Sequence, residues 1–152
     1  MRLEDGEDLE AWTPWRRGLT GDVVVTLLAR DLLPCVLEPL TSALAARSRF
    51  SLERFSDVFI VTRAVAKHVR AAASSSQVSL SLTARDQRLE LTIGPLKPGT
   101  SELLQVVDPA AADASVAELA DELGIEAIDR SELLRVVVID HQRDRSGAPG
   151  QP

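Results

Sequence analysis

The chain has 152 residues and a formal net charge of −6, with 17 Lys and Arg against 23 Asp and Glu. Apolar residues make up 45% and aromatic residues 3%, enough for one hydrophobic core built mainly from Leu, Val, Ile and Ala. The acidic balance argues against a nucleic-acid partner, which calls for a basic stripe, and apolar runs such as Val23–Ala29 are too short to cross a membrane.

Residues 1–20 read as a flexible acidic arm, with Glu4, Asp5, Glu7, Asp8 and Glu10 ahead of Trp12, Pro14, Trp15, Arg16 and Arg17. Charges stand where an export signal needs an apolar stretch, which points to the cytoplasm. Trp12 and Trp15 either cover an edge of the domain or dock a partner, since Trp is enriched at binding hot spots. Residues 21–140 carry the periodic pattern of a folded domain, and residues 141–152, rich in Gly, Pro, Ser and charge, read as a disordered tail.

Within the domain, Asp22–Ala29 is short and β-branched, as a strand requires. Asp31 is placed to cap a helix whose first turn holds Pro34 and whose apolar face is Val36, Leu37, Leu40 and Leu44, with a kink expected at Pro39. Cys35, between Pro34 and Val36, is expected to be a buried, inert thiol. Ser51 caps a longer helix with a stripe of Phe55, Val58, Val61, Val65, Val69 and Ala72, ended by Ser74-Ser75-Ser76.

The period then falls to two. Val78, Leu80, Leu82 and Ala84, a turn at Arg85–Gln87, and Leu89, Leu91 and Ile93 predict an antiparallel hairpin with one buried face. Gly94-Pro95-Leu96-Lys97-Pro98-Gly99 reads as a loop. Ser115 and Glu118 have capping-box spacing for a helix through Leu119, Ala120 and Leu123, stopped by Gly124. Strands at Ile125–Ile128 and Leu133–Ile139, joined by a turn at Asp129-Arg130, close the domain. The sum is an α/β two-layer sandwich: a mostly antiparallel sheet covered on one face by helices.

That order, with Phe55-Ser-Asp-Val-Phe-Ile-Val-Thr-Arg-Ala-Val-Ala-Lys-His-Val69 and Arg88-Leu-Glu-Leu-Thr-Ile-Gly-Pro-Leu-Lys-Pro-Gly99, resembles the GHKL ATPase fold of bacterial anti-sigma regulatory kinases, over about Asp22 to Asp140. The resemblance implies a catalytic base and a Mg²⁺ ligand on the second helix, an adenine-binding carboxylate in the loop, and a Gly-rich lid. Arg63 and Lys67 stand at the helix positions, and both are donors only while charged. Pro95 or its neighbour stands at the carboxylate position, Gly99 matches a loop glycine, and Val107–Ser115 contains no glycine. The chain thus keeps the apolar frame of the family and lacks its catalytic letters. ATP and Mg²⁺ are not expected as cofactors.

Arg63, Lys67 and Arg70 share one helix face and form either a solvated face, an anion site or a contact for an acidic protein patch. Two His, His68 and His141, with one Cys are poor material for zinc. Spacing alone leaves a Ser-His-Asp triad open, although no Gly-x-Ser-x-Gly elbow is present. Asp121 and Glu122, adjacent on the expected helix, diverge too far to act as a paired acid and base. No catalytic residue is assigned. The reading that follows from the resemblance is a degenerate anti-sigma-like regulator binding a sigma factor or a STAS-type anti-anti-sigma protein, with homodimerisation through the first strand and helix open. The alternatives are an ATP-binding serine kinase with displaced motifs and a structural adaptor.

Overall fold

The computed structural model describes Leu19, residues 21–105 and residues 116–141; Trp12, Trp15 and the tail beyond His141 lie outside them. The elements are β1 (Val23–Leu27), α1 (Leu33–Arg47), α2 (Leu52–Ala72), β2 (Val78–Arg85), β3 (Arg88–Leu96), a single turn α3 (Val116–Leu119), β4 (Glu122–Ile128) and β5 (Ser131–Ile139). Two 3₁₀ turns, Arg30–Leu32 and Ser101–Gln105, sit before α1 and after β3. The five strands form one sheet in the order β1-β2-β3-β5-β4, with every neighbouring pair antiparallel.

The expected hairpin forms in the register Leu80↔Ile93, Leu82↔Leu91 and Ala84↔Leu89. Asp86 and Gln87 both take positive φ, 51° and 59°, the conformation a tight two-residue connection needs to match strand twist. Leu80, Leu82, Leu89, Leu91, Ile93, Leu134, Val136 and Val138 line the helix-facing side of the sheet, each no more than 4% exposed. Val58, Val61, Val65, Val69 and Ala72 of α2 pack against them with the predicted steps of three and four. Burying a side chain of this size completely contributes about 1.5–3 kcal/mol. Ser51 caps α2 as expected, its hydroxyl accepting from the Arg54 amide at 3.2 Å.

Several expectations are corrected. The buried stripe of α1 is Leu33, Leu37, Thr41 and Ala45, with Val36, Leu40 and Leu44 only half-buried beside it. Thr41 hides in an apolar stripe because its hydroxyl donates to the Leu37 carbonyl at 2.9 Å and accepts from Thr62 of α2 at 3.1 Å. Cys35 lies two residues from both Leu33 and Leu37, on the far side of the helix, and is exposed rather than buried. Asp31 does not cap α1; Leu32 stands at the cap position, and the Asp31 carboxylate reaches Arg70 at 3.3 Å.

Residues 94–96 are strand, not loop. Pro95 lacks an N–H and falls where the β3–β5 register shifts, between Ile93 and Leu96. A Cβ at Gly94 would meet Leu133 Cδ2 at 2.6 Å and the Glu132 carbonyl at 3.0 Å, so any larger residue there must displace the buried Leu133. The helix expected through Leu123 stops at Leu119: Asp121 already donates its amide to the Val137 carbonyl at 2.8 Å, and Leu123 pairs with Val136. Leu123 and Ile125 alternate toward the core, so period two overrides the helical spacing, and Gly124 is a strand residue.

The hairpin is also buried on both faces. On the side away from the helices Ser79 and Ser81 are 0% and 3% exposed, and the Thr26 and Ser79 hydroxyls meet at 2.7 Å. Leu19 packs there with Leu133 and Ile128. Across the same face Arg135 bonds Glu90 at 2.7 Å and Glu122 at 3.3 Å, and Arg88 joins both carboxylates. The Arg135 guanidinium holds the Glu90 carboxyl below its usual range against the opposing effect of burial.

Val65 is fully buried at the centre of the α2 stripe, so Val65→Asp places a carboxylate where nothing can pair with it. The variant is expected to lose about 4 kcal/mol or more of stability, or not to fold. Urea denaturation read by circular dichroism checks this; an unchanged midpoint would reverse the assignment of the helix face.

Candidate functional site

The same periodicity that buries the valine stripe leaves another face of α2 outward. Phe59 and Ile60 are 40% and 37% exposed, and Arg63, Lys67, Arg70 and Ala71 follow them toward solvent. Pro34 and Glu38 of α1 and Leu104 of the second 3₁₀ turn complete the walls of a groove of about 830 Å³. The structure therefore brings together three predicted residues, Arg63, Lys67 and Arg70. It does not bring Pro95, which is buried in β3, into the groove, and Gly99 is not among the residues that line it.

The groove is cationic over an apolar floor. The Arg63 guanidinium lies 5.6 Å from the Phe59 ring centroid and 4.0 Å from Glu38; stacking of this kind at an exposed site contributes roughly 0.5–1 kcal/mol. Arg70 reaches Asp31 on the rim. Lys67 has no carboxylate within ion-pair distance among the described residues. Phe59 and Ile60 were legible as apolar residues off the buried stripe, and the Phe59–Arg63 spacing of four is the signal that joins them to the cations. Glu38 and Leu104 come from other elements and had no such signal.

One wall of the groove, at His68, is tied to the sheet by a buried carboxylate. Glu132, at the start of β5, is 6% exposed. Its two oxygens accept the Gly99 amide at 3.1 Å and the Ser101 amide at 2.9 Å. The Ser101 hydroxyl also bonds Glu132 and lies 3.3 Å from His68 Nε2. Gly99 turns with φ +81°, a conformation glycine adopts without strain. Burial alone would raise the Glu132 carboxyl, but the Ser101 and Gly99 amides, the Ser101 hydroxyl and nearby His68 together hold it below its usual value. Burial pushes the His68 imidazole below its ordinary value, with the Glu132 carboxylate opposing.

Ser101, His68 and an acid thus meet, in an order unsuited to nucleophilic catalysis. The acid sits on the serine instead of orienting the histidine, and Ser101 is 0% exposed. At the other end of α2, Asp121 is a second tie. It accepts from the Ile139 amide at 2.6 Å, Arg54 at 2.7 Å and His141 at 2.9 Å, and Arg54 Nε donates to the Ile139 carbonyl at 2.9 Å. Burial opposes ionisation of Asp121, and the Ile139 amide, His141 and Arg54 outweigh it. Asp121 and Glu122 take different partners, Arg54 and Arg135, with Asp121 just before β4 and Glu122 at its start, not on a helix.

The donor set does not fit a Mg²⁺–nucleotide. Arg63 and Lys67 offer no lone pair, Glu38 already faces Arg63, and Pro95 can neither donate to nor accept from a base through a side chain. What the groove offers is cation and apolar area side by side. No helix among the described residues is long and apolar enough to cross a membrane. No family model matches the chain, and no curated protein matches it.

Glu132→Gln keeps the shape and removes the charge that two amides and a hydroxyl surround. At pH 7 it is expected to cost roughly 1–3 kcal/mol, as hydrogen bonds to a charged group do. Because the folded carboxyl titrates below its unfolded value, its contribution is complete above the ordinary glutamate range, declines as pH falls through that range and is lost as pH falls through the lower folded value. The gap between wild type and variant should therefore close on acidification. Paired urea titrations from pH 7 to pH 3 measure it; a gap that widens would refute the assignment.

Proposed function

We propose that the domain is a protein-binding regulatory module whose docking surface is the α1–α2 groove, and that it works in the cytoplasm without turning over ATP. One observation carries the reading: Arg63 and Lys67 stand together in a groove floored by exposed Phe59 and Ile60. Such a surface suits an acidic, amphipathic segment, with leucine-like side chains on the floor and carboxylates on the cations. The resemblance to anti-sigma regulatory kinases supports a sigma factor or a STAS-type protein as the source of that segment, within transcriptional control. The loss of the helix base and metal ligand supports a degenerate member of that group. A homodimer through β1 and α1 is compatible with this reading, because β1 is an edge strand.

Two measurements test it. A sigma factor or STAS-type protein captured by the wild-type chain should be lost when Arg63→Glu and Lys67→Glu are combined. Each reversal is expected to lower affinity about tenfold, since a close interfacial charge pair couples by about 1.5 kcal/mol or more. Retention of the partner by the double variant would remove the groove from the interaction.

In calorimetric titration with ATP and Mg²⁺ no saturable micromolar site should appear. Losing three polar contacts to charged groups weakens binding by roughly 4–5 kcal/mol, about 10³-fold. A Mg²⁺-dependent, adenine-selective micromolar constant would replace this reading with that of an active kinase.

A further inference from the structure

We propose that the groove has an occupant within the same chain: the acidic stretch Leu3-Glu-Asp-Gly-Glu-Asp-Leu-Glu10 binds there in cis and competes with the protein partner. This rests on the groove being a docking surface for acidic segments. The stretch lies outside the described residues, and the charge and lining of the groove and the place where the chain enters the fold carry the inference.

The first support is complementarity. Five of the eight residues 3–10 are carboxylates and two are leucines. The groove sets Arg63, Lys67 and Arg70 against one lining carboxylate, Glu38, beside the apolar surface of Phe59 and Ile60. In a chain of net charge −6, a local excess of cations next to exposed aromatic and aliphatic area stands apart from the general surface.

The second support is where the arm enters the fold. Leu19 is 9% exposed and packs on Leu133 and Ile128. Leu133 follows Glu132, whose carboxylate holds the Ser101 amide, and Ser101 touches His68 in the groove lining. The arm therefore joins the domain at the end of the sheet that supports the groove. Nine residues from Glu10 to Leu19 span up to about 30 Å when extended. A domain of this size has a radius of gyration near 14 Å, so the stretch can pass around the sheet edge to the helices.

The third support is energetic. A short tether gives an effective concentration of about a millimolar. A stretch that would bind the isolated groove with a dissociation constant on the order of 100 µM then occupies it about nine-tenths of the time, and an external ligand must be roughly tenfold more concentrated to displace it. A weak, salt-sensitive contact suffices for control.

The test uses full-length protein and a fluorescent peptide of residues 1–12 as probe, read by anisotropy. One variant combines Glu4→Gln, Asp5→Asn, Glu7→Gln, Asp8→Asn and Glu10→Gln; a second adds Arg63→Glu and Lys67→Glu to these. Circular dichroism and melting temperature verify that all forms fold alike. The expected result is about tenfold tighter peptide binding to the first variant than to wild type, loss of binding in the second, and a ratio independent of protein concentration.

Equal affinity for wild type and the first variant, with binding lost in the second, overturns occupation in cis and leaves the groove reading standing. Absence of binding to the first variant overturns both. A ratio that grows with protein concentration, with dimers in light scattering, assigns the arm to a second copy and overturns the proposal as stated.

Discussion

Everything on the helical side of this domain follows from one packing contact, the valine stripe of α2 laid across the inner faces of β2, β3 and β5. Val58, Val61, Val65 and Val69 are at most 4% exposed, and Leu80, Leu82, Ile93 and Leu134 beneath them are fully buried. β-Branched side chains have few rotamers to lose, so this contact fixes the rotation of α2 about its own axis closely. Once that rotation is set, a helix of 3.6 residues per turn has no freedom in what it turns outward. Phe59, Ile60, Arg63 and Lys67 are displayed because the valines are hidden. The groove is a by-product of the core.

Packing alone does not stop a helix from sliding along a sheet, and here polar ties hold both ends. At the N-terminus of α2 the Asp140 carboxylate takes the Ser51 amide at 2.5 Å, and Arg54 reaches both Asp121 and the Ile139 carbonyl. At the C-terminus the Pro95 carbonyl accepts the Ser74 amide at 3.0 Å and the Lys97 amide donates to the Ala72 carbonyl at 2.8 Å. Glu132 then fixes the following turn beneath His68. Among the described residues every buried side-chain nitrogen and oxygen has a partner, as a low-dielectric interior demands. Asp121 and Glu132, two carboxyls held below their ordinary values, are both ties of this kind. Their lowered values reflect the amides and cations that hold them.

What the sequence made legible was periodic. The α2 stripe, the hairpin alternation and the strand at Leu133–Ile139 each repeat a burial signal several times, so no single residue decides them. Errors fell where one residue did decide. Thr41 is polar and so was passed over in the α1 stripe, although two hydroxyl hydrogen bonds make its burial inexpensive. Misplacing that stripe by one residue put Cys35 inside when it is outside. Gly124 looked like a helix stop because glycine favours both ends of helices and strand positions where a side chain is unwelcome; the alternation of Leu123 and Ile125 was the better guide. The cationic part of the groove was visible as three residues on one helix face. Its walls were not, since Glu38 and Leu104 are brought in by tertiary packing that leaves no local pattern.

Two cations beside an exposed apolar surface on one helix face have a consequence for how such a surface can be controlled. A site built on a bound metal and a nucleotide responds to their concentration, whereas Arg63 and Lys67 respond to any anionic group that also brings apolar area. Under the proposed docking, segments compete for one groove, with the outcome set by local concentration and ionic strength. In such an arrangement specificity comes from the floor. Any acidic peptide satisfies the cations, and only one with suitably spaced apolar side chains also covers Phe59 and Ile60. Truncating Phe59 to Ala should therefore weaken a true partner more than a polyanion of equal charge, because it removes the apolar contact and leaves the cations in place.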